Sequence, residues 1–342
     1  MMNNKRKIFM KKFILLCIAL SIPFIFMGCS EKEFCVSYIS GGDSVYDSNL
    51  SAETYEEIEE FCNENDIKNT SYNAYNEQIT KSAFSKSAGT GGIVISIGGN
   101  TLKTAKEYAQ NNGDTSFVVV GAKEYDGSAT NLTVINFKEE QIAFIAGYIA
   151  ANMTKSGKIG FVGSVEDAST KAYESGFAAG AYYANRSIQC ESRYIGSIDN
   201  PLLGGEVAKE MMDGGVDVIY QAAGNSGLGV VDAVKERDKY VIGSAEDQTY
   251  LANDNVIASS VKNMDSLLKN IIIEAKKSFP ATIEGMRSVG IEDGALYMEY
   301  NDKLIASSLK TKVEVISNRI ISEEIEVPAN DIQLEAFKES VN

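Results

Sequence analysis

The sequence contains no histidine and no tryptophan, and it has only 4 prolines in 342 residues. Histidine is the commonest general base and metal ligand, and it belongs to most catalytic triads. The sequence also lacks the lysine-containing phosphate-binding loop of nucleotide hydrolases and the serine elbow of α/β-hydrolases. These absences argue against most kinds of enzyme, and nothing in the sequence predicts a cofactor or a metal.

Cysteine is sparse and irregularly spaced. Cys17 lies inside an N-terminal apolar run and Cys29 directly follows it, which leaves Cys35, Cys62 and Cys190. An odd number of cysteines without close spacing argues against a disulfide framework or a zinc site. A single Cys35–Cys62 bridge stays open at this point.

The N-terminus has the pattern of an export signal. Five Lys or Arg residues precede the apolar run from Phe13 to Phe26, and Gly28-Cys29 follows it. A basic head, an apolar middle and a small residue at the exit are typical of secretory signals. The Gly28-Cys29 pair resembles the end of a bacterial lipoprotein signal. We therefore expect residues 1–28 to be removed and Cys29 to carry fatty acyl chains such as palmitate. The alternative is a transmembrane anchor or an ordinary signal with an incidental cysteine.

Charge further limits the partners. Without residues 1–28, 27 basic residues face 47 acidic ones, which gives a net charge of −20. Such a balance argues against nucleic acid and against electrostatic adhesion to an anionic membrane. Solubility of an exported protein is sufficient to explain it.

The stretch from Asn136 to Tyr183 predicts a junction between two similar halves. Apolar residues from Ile142 to Ile149 recur at helical spacing, and alanines and Gly147 keep one helix side thin, which favours close packing against a sheet or another helix. A buried strand at Ile159–Gly163 and a second helix from about Thr170 follow.

Strands and helices alternate on both sides of this junction, which predicts an α/β fold with two doubly wound, Rossmann-like lobes joined by a hinge. We expect residues 34–154 plus about 262–290 in the first lobe, and 155–261 plus about 291–330 in the second. The hinge is expected near Thr154–Lys158, with further crossings near Ser259–Lys262 and Glu284–Tyr300. Ligands of open α/β sheets bind beyond the carboxyl ends of the strands, so the cleft between the lobes is the expected site.

Several motifs occur in an order that resembles the basic membrane protein family. They are the loop Gly42–Ser51, Phe137-x-x-Glu140, Ala146–Ala151, Lys158–Gly163, Gly176-Phe177-x-x-Gly180, the loops Ala223–Val230, Ile242–Gln248 and Ala258–Lys262, and Glu326-Val327-Pro328. The resemblance covers nearly the whole chain after residue 28. It implies the type I periplasmic-binding fold and a lipid-anchored, extracytoplasmic binding protein that delivers nucleosides to the permease of an ABC importer.

Carried over position by position, the resemblance implies a reduced purine site. In the first loop of the family, Asp-x-Ser-Phe-Asn, Asp47 is kept, whereas Leu50 replaces the stacking aromatic residue and Ser51 replaces the asparagine. A second stacking aromatic is replaced by Ile198. An acidic residue after the Phe117–Val120 strand is replaced by Gly121.

The remaining positions match better. In the Asp-x-Asp-Gln loop only the second aspartate, Asp247, is kept, while Gly224 and Lys262 match the family. The candidate ligand-binding residues are therefore Asp47, Leu50, Ser51, Ile198, Gly224, Asp247 and Lys262. Chemically, the two aspartates can accept hydrogen bonds, Lys262 can donate them, and the glycine loop lets backbone amides approach a ligand at a helix N-terminus.

Three alternatives to these interpretations stay open. Either aspartate is equally well read as a helix cap or turn residue. Tyr46 or Tyr194 are other sources of a stacking ring. The protein as a whole is alternatively a ligand sensor that presents a solute to a membrane receptor, or, less favoured, an enzyme using Asp47 and Asp247, because doubly wound sheets host many activities.

Overall fold

The computed structural model describes residues 33–41 and 48–341. Cys29, the whole predicted signal and Asp47 lie outside the described residues. Elements are numbered here in chain order within the described part. No helix in these two ranges is long and apolar enough to cross a bilayer.

The first lobe is built on a six-stranded parallel sheet. Its central strands are apolar runs such as Gly-Ile-Val-Ile-Ser-Ile, in which every residue is buried, as expected for parallel strands covered on both faces. The strands are β1 (Cys35–Gly41), β2 (Lys68–Ala74), β3 (Gly92–Ile97), β4 (Thr115–Val120), β5 (Leu132–Phe137) and β11 (Gly285–Val289), in the spatial order β11-β5-β4-β3-β1-β2. The helices of this lobe are α1 (Ser48–Glu64), α2 (Glu77–Ser87), α3 (Leu102–Ala109) and α8 (Met264–Ser278).

The second lobe repeats this plan with one antiparallel strand. Five strands run parallel, and the last strand pairs antiparallel with its neighbour. The strands are β6 (Lys158–Gly163), β7 (Gln189–Tyr194), β8 (Val218–Ala222), β9 (Tyr240–Ala245), β10 (Val256–Lys262) and β12 (Leu296–Tyr300), in the order β12-β10-β9-β8-β6-β7. The remaining helices are α4 (Glu139–Met153), α5 (Ala168–Ala184), α6 (Pro201–Asp213), α7 (Ser226–Glu236), α9 (Ser307–Ile321) and α10 (Asp331–Ser340). The predicted two-lobe α/β fold is confirmed.

The close packing expected of the thin helix side is also confirmed, and the partner is a helix. A Cβ atom built on Gly180 of α5 would lie 1.9 Å from the carbonyl oxygen of Phe144 in α4. A Cβ atom on Gly147 of α4 would lie 2.0 Å from the carbonyl oxygen of Phe177. The two backbones therefore approach as closely as glycine allows. Phe177 itself is fully buried.

The first crossing between the lobes differs from the expected position. Helix α4 packs against α5 and against β8, β10 and β12, which places it on the second sheet. The loop after α4 is also internal to the second lobe, because Asp217 accepts hydrogen bonds from the amides of Lys155 and Ser156, both at 2.8 Å. The chain thus crosses at Phe137–Glu139, directly after β5, and Thr154–Lys158 is not a crossing. The apolar α4 sequence shows that it is buried, but not against which sheet.

The second crossing follows β10, and the third lies between β11 and β12. Strand β10 ends at Lys262, and α8 then packs against α1 and β3 of the first lobe. Residues between Val289 of β11 and Leu296 of β12 return the chain to the second sheet. Three neighbouring segments therefore connect the lobes.

Candidate ligand-binding site

Two predicted site residues meet at the carboxyl ends of β7 and β8. Gly224 has a positive φ of 58°, and its α-carbon packs against Ile198. The carbonyl oxygen of Ile198 accepts a hydrogen bond from the backbone amide of Ser226 at 3.0 Å. The Ser226 hydroxyl also donates to the carbonyl of Ser197 and accepts from the amide of Asn200. These bonds fix the loop after β7 against the N-terminus of α7. The structure thus brings Ile198 and Gly224 together.

Asp247 lies on the exit loop of β9 and is exposed. One carboxylate oxygen accepts from the amide of Thr249 at 2.9 Å, and the other accepts from its hydroxyl at 2.9 Å. This is the geometry of a turn-forming aspartate. The preceding Ala245 has a φ of 73°, a left-handed conformation that is uncommon for a residue with a side chain. The turn therefore already uses hydrogen-bonding capacity that a ligand would share.

Gln248 supports this loop from beneath, a role that the sequence interpretation did not assign. Its side-chain oxygen accepts a hydrogen bond from the side-chain amide of Gln221 at 2.7 Å. Its backbone amide donates to the hydroxyl of Ser259 at 3.0 Å. All three side chains are buried. The sequence shows a glutamine in the exit loop of a strand, but only the folded sheet shows that it contacts Gln221 and Ser259.

Lys262, at the end of β10, is 8% exposed and belongs to a buried charge cluster. Its ammonium group lies 3.0 Å from a carboxylate oxygen of Glu139 and 4.8 Å from the centre of the Phe137 ring. Lys123, from the loop after β4, pairs with the other carboxylate oxygen of Glu139. Burial by itself would raise the pKa of Glu139, but Lys262 and Lys123 outweigh it and hold the pKa below its usual range. Glu139 and Lys123 were missed from the sequence because only the folded chain brings Lys262, at the end of β10, next to the residue that begins α4.

A cavity of about 430 Å³ opens between these groups and the first lobe. Asp247 and Lys262 line it from the second lobe, and the face of α1 that carries Thr54 and Glu56 lines it from the first. Its volume falls in the range of small-molecule sites, roughly 300–1,000 Å³. The full lining is Thr54, Glu56, Glu57, Glu60, Ala245, Glu246, Asp247, Val261, Lys262, Asn263, Met264, Asp265 and Tyr297.

The remaining candidate residues lie in or before α1, after β4 and at the end of β7. Leu50 and Ser51 lie in the first turn of α1, and Asp47 lies in the undescribed segment just before it. Gly121 follows β4 with a φ of 93°. Tyr194 donates from its hydroxyl to Glu174 and packs edge-on against Phe161, so its ring is part of the packing beneath the β6 exit.

The three cysteines within the described residues, Cys35, Cys62 and Cys190, are free thiols. Cys35 and Cys62 do not form a bridge, and Cys35 donates to the carbonyl of Gly91 at 2.9 Å. Burial raises the pKa of the Cys62 thiol to about 11, so it is unreactive near neutral pH. No group of three or more His, Cys, Asp or Glu residues within 33–41 and 48–341 is arranged to hold a metal ion.

The solved structures that this chain resembles include solute-binding proteins and regulators. A solute-binding protein of an ABC transporter system from Aeropyrum pernix superposes with a TM-score of 0.75 at 18% identity, over 90% of this chain and 97% of that one. A protein described as a transcriptional activator of the comK gene from Bacillus halodurans gives 0.74 at 19% identity, over 84% and 97%. At such identities the likeness shows the fold alone, and that fold is the type I periplasmic solute-binding fold.

Sequence comparisons define the family more narrowly. Residues 36–331 match the family model described as ABC transporter substrate-binding protein, PnrA-like. Basic membrane protein A of Borreliella burgdorferi is 33% identical, over 96% of this chain and 98% of that protein. The chain therefore belongs to the PnrA-like family of ABC transporter substrate-binding proteins, together with the basic membrane proteins.

Proposed function

We propose that the chain is a lipid-anchored, extracytoplasmic solute-binding protein of an ABC importer, and that its ligand is a nucleoside or a related small polar solute. The observation that carries this proposal is the cavity that Asp247 and Lys262 share with helix α1. It lies where strands of one lobe end and faces the other lobe, as expected for this fold. Membership of a substrate-binding family supports the same function.

The groups around the cleft favour an oxygen-rich, polar solute. Lys262 supplies a cation, and Glu56, Glu246 and Asp247 supply acceptors for hydroxyl or amino groups. The loop at Gly224 precedes the N-terminus of α7, where backbone amides favour oxygen atoms. Asp47, Leu50, Ser51 and Ile198 complete the proposed set of contacts from both sides of the cleft.

We further propose that the lobes close over the solute by bending at the three crossings. The crossings at Phe137–Glu139, Lys262–Asn263 and Gly290–Ala295 lie side by side, because the amide of Lys138 donates to Val289 and that of Asn263 donates to Ala295. Closure of this kind is the usual response of two-lobed binding proteins. The closed form would then be presented to the membrane permease.

The test is to identify the bound solute directly. The protein is purified under native conditions and then denatured. The released small molecules are identified by mass spectrometry. The identified molecule is then titrated into ligand-free protein by calorimetry. We expect one small polar solute per chain. Lys262→Met should lose that solute, whereas Lys81→Met, which changes an exposed pair on α2, should keep it.

Two results would contradict this proposal. One is the absence of any released solute together with no saturable binding of nucleosides, sugars or amino acids. The other is chemical turnover of the identified solute by the purified protein, which would favour the enzyme alternative.

A further inference from the structure

Glu139 is both the last residue of the first crossing and the first residue of α4. Its side chain is 2% exposed, although it carries a charge. A buried carboxylate is costly unless it is paired and hydrogen-bonded. Here three side chains satisfy it, and they come from different parts of the molecule.

The three partners connect both lobes and two crossings. Lys123 belongs to the first lobe, and its ammonium group also donates to the carbonyl of Phe137 at 3.0 Å. Ser169 belongs to the second lobe and donates to Glu139 at 3.2 Å. Lys262 is the last residue of β10, directly before the chain crosses back, and it lines the cavity. One carboxylate thus connects a first-lobe loop, a second-lobe helix and the return crossing.

The third crossing is attached to the same turn of α4. The side-chain oxygen of Gln141 accepts from the amide of Ile291 at 3.0 Å, and Lys138 pairs with Glu292. A change in the angle between the lobes must therefore move groups that bind Glu139 or its immediate neighbours.

We propose that Glu139 is a positioning residue that holds the Lys262 ammonium group in the ligand cavity and, through Lys123, sets the angle between the lobes before ligand binds. Its two carboxylate oxygens divide these tasks, because one binds Lys262 and the other binds Lys123. The contribution to ligand binding rests on the proposed function. The effects on Lys262 and on the lobe angle do not.

The experiment compares Glu139→Gln with Glu140→Gln in the ligand-free protein. The first substitution keeps the size of the side chain and removes its charge, and the second does the same one residue away. Acetylation of individual lysines by an activated ester is followed by mass spectrometry. We expect Lys262 to react roughly tenfold faster in Glu139→Gln, since losing a close carboxylate favours the uncharged, reactive amine. Glu140→Gln should leave its rate unchanged.

A second measurement separates positioning from general loosening. Lys158 and Lys269 lie away from the cluster, so their acetylation rates should stay at the parent values in both variants. Glu139→Asp, which restores the charge on a shorter side chain, should recover part of the protection of Lys262. If Glu139→Gln fails to fold, Lys123→Met carries the test, because it removes only the first-lobe partner. Small-angle scattering should then show an altered radius of gyration with unchanged acetylation of Lys262.

Equal acetylation of Lys262 in the parent, Glu139→Gln and Glu140→Gln would overturn the proposal, as would unaltered scattering in Lys123→Met. Nucleosides serve as the ligand probes in parallel titrations. If the parent binds none of inosine, adenosine, guanosine and uridine, the nucleoside assignment is wrong, and the acetylation and scattering results still decide the role of Glu139.

Discussion

We predict that the identity of the ligand depends most on Ile198 and Leu50, which stand where the family resemblance implies stacking aromatic rings. Stacking one base on an aromatic ring contributes roughly 1–3 kcal/mol, so the loss of two rings costs about 2–6 kcal/mol before aliphatic contacts are counted. At about 1.4 kcal/mol per factor of ten, this is some one to four orders of magnitude in affinity. We therefore expect the protein to bind purine nucleosides weakly.

The matching variant is Leu50→Phe/Ile198→Phe. It should bind inosine and adenosine at least about tenfold more tightly than the parent, because each ring restores a stacking surface. Isothermal calorimetry with adenosine, guanosine, inosine and uridine measures this. Leu202→Phe is the control, because Leu202 is 77% exposed and lies shortly after Ile198 in the chain. Submicromolar binding of any purine nucleoside by the parent would show that the purine site is not reduced.

Asp217 gives a prediction about acid stability. Burial would raise its pKa, but hydrogen bonds from Thr154, Lys155 and Ser156 outweigh that effect and lower the pKa below the ordinary value of 3.8. A carboxyl whose folded pKa is depressed stabilises the fold above its unfolded pKa, and this contribution is lost as pH falls through the folded value. Asp217→Asn should therefore lower the free energy of unfolding by about 1–2 kcal/mol at pH 7 and by progressively less below about pH 4.

Thermal unfolding between pH 7 and pH 3 tests this difference. Asp213→Asn provides the control, since Asp213 forms an exposed pair with Arg237 and such pairs contribute little. If the difference in stability between the parent and Asp217→Asn stays constant from pH 7 to pH 3, the charge of Asp217 is not the cause of that difference.

Single residues also show where sequence interpretation ends. Asp247 is visible as a polar residue after a strand, and its two readings, ligand contact and turn residue, have the same sequence pattern. The bonds to Thr249 show that the turn role is real. Glu139 gave no signal at all, because its importance comes from Lys123 and Lys262, which only the folded sheet order brings to it.

At the scale of elements, the contact between α4 and α5 is the most sensitive packing feature. Alanine favours a helix over glycine by about 1 kcal/mol, so Gly180→Ala would stabilise an isolated α5. In the protein its Cβ atom would lie 1.9 Å from the carbonyl oxygen of Phe144, and the helices must separate. Overpacking costs about 1–3 kcal/mol, so we expect a net loss of stability.

Urea unfolding of Gly180→Ala measures that loss. Gly113→Ala is the matched control, because nothing lies within 4 Å of a Cβ atom at this exposed position. An unchanged midpoint for Gly180→Ala would mean that the two helices are farther apart in solution than in the structure.

Elements differed in how well the sequence predicted them. Central strands such as β3 and β4 and one long helix carry clear apolar patterns. These patterns predict strands at Gly92–Ile97 and Phe117–Val120 and a helix at Met264–Ser278, close to the observed bounds. Strand β2 was missed because it is an edge strand of sequence Lys-Asn-Thr-Ser-Tyr-Asn-Ala and is largely exposed, so no apolar alternation marks it. Helix α10 was missed too, since it buries little beyond Leu334 and Phe337. Sequence patterns report burial, and elements at the margin of a sheet have little of it.

For the whole molecule, we predict that attachment to the membrane depends on Cys29. One acyl chain binds a bilayer only marginally, whereas two or three chains hold a protein firmly. We expect Cys29→Ser to release the protein from the membrane or to leave the signal uncleaved. Fractionation and intact mass measure both outcomes, and Cys35→Ser is the control. A processed Cys29→Ser protein that stays with the membrane like the parent would exclude lipid anchoring through this residue.

Closure of the two lobes is the last prediction, and it depends on the three crossings acting together. A ligand that binds only the folded protein stabilises it by about 2.7 kcal/mol at 100 times its Kd, which corresponds to a rise of several degrees in Tm. A ligand that also contacts both lobes should reduce the radius of gyration, because closure brings the carboxyl ends of the two sheets together. The measurement is small-angle scattering with and without the solute identified from the purified protein, at saturation. Lys262→Met should show neither the smaller radius nor the higher Tm at the same solute concentration. If the solute raises the Tm of the parent and leaves its scattering unchanged, the ligand binds without closure and the crossings do not act as a hinge.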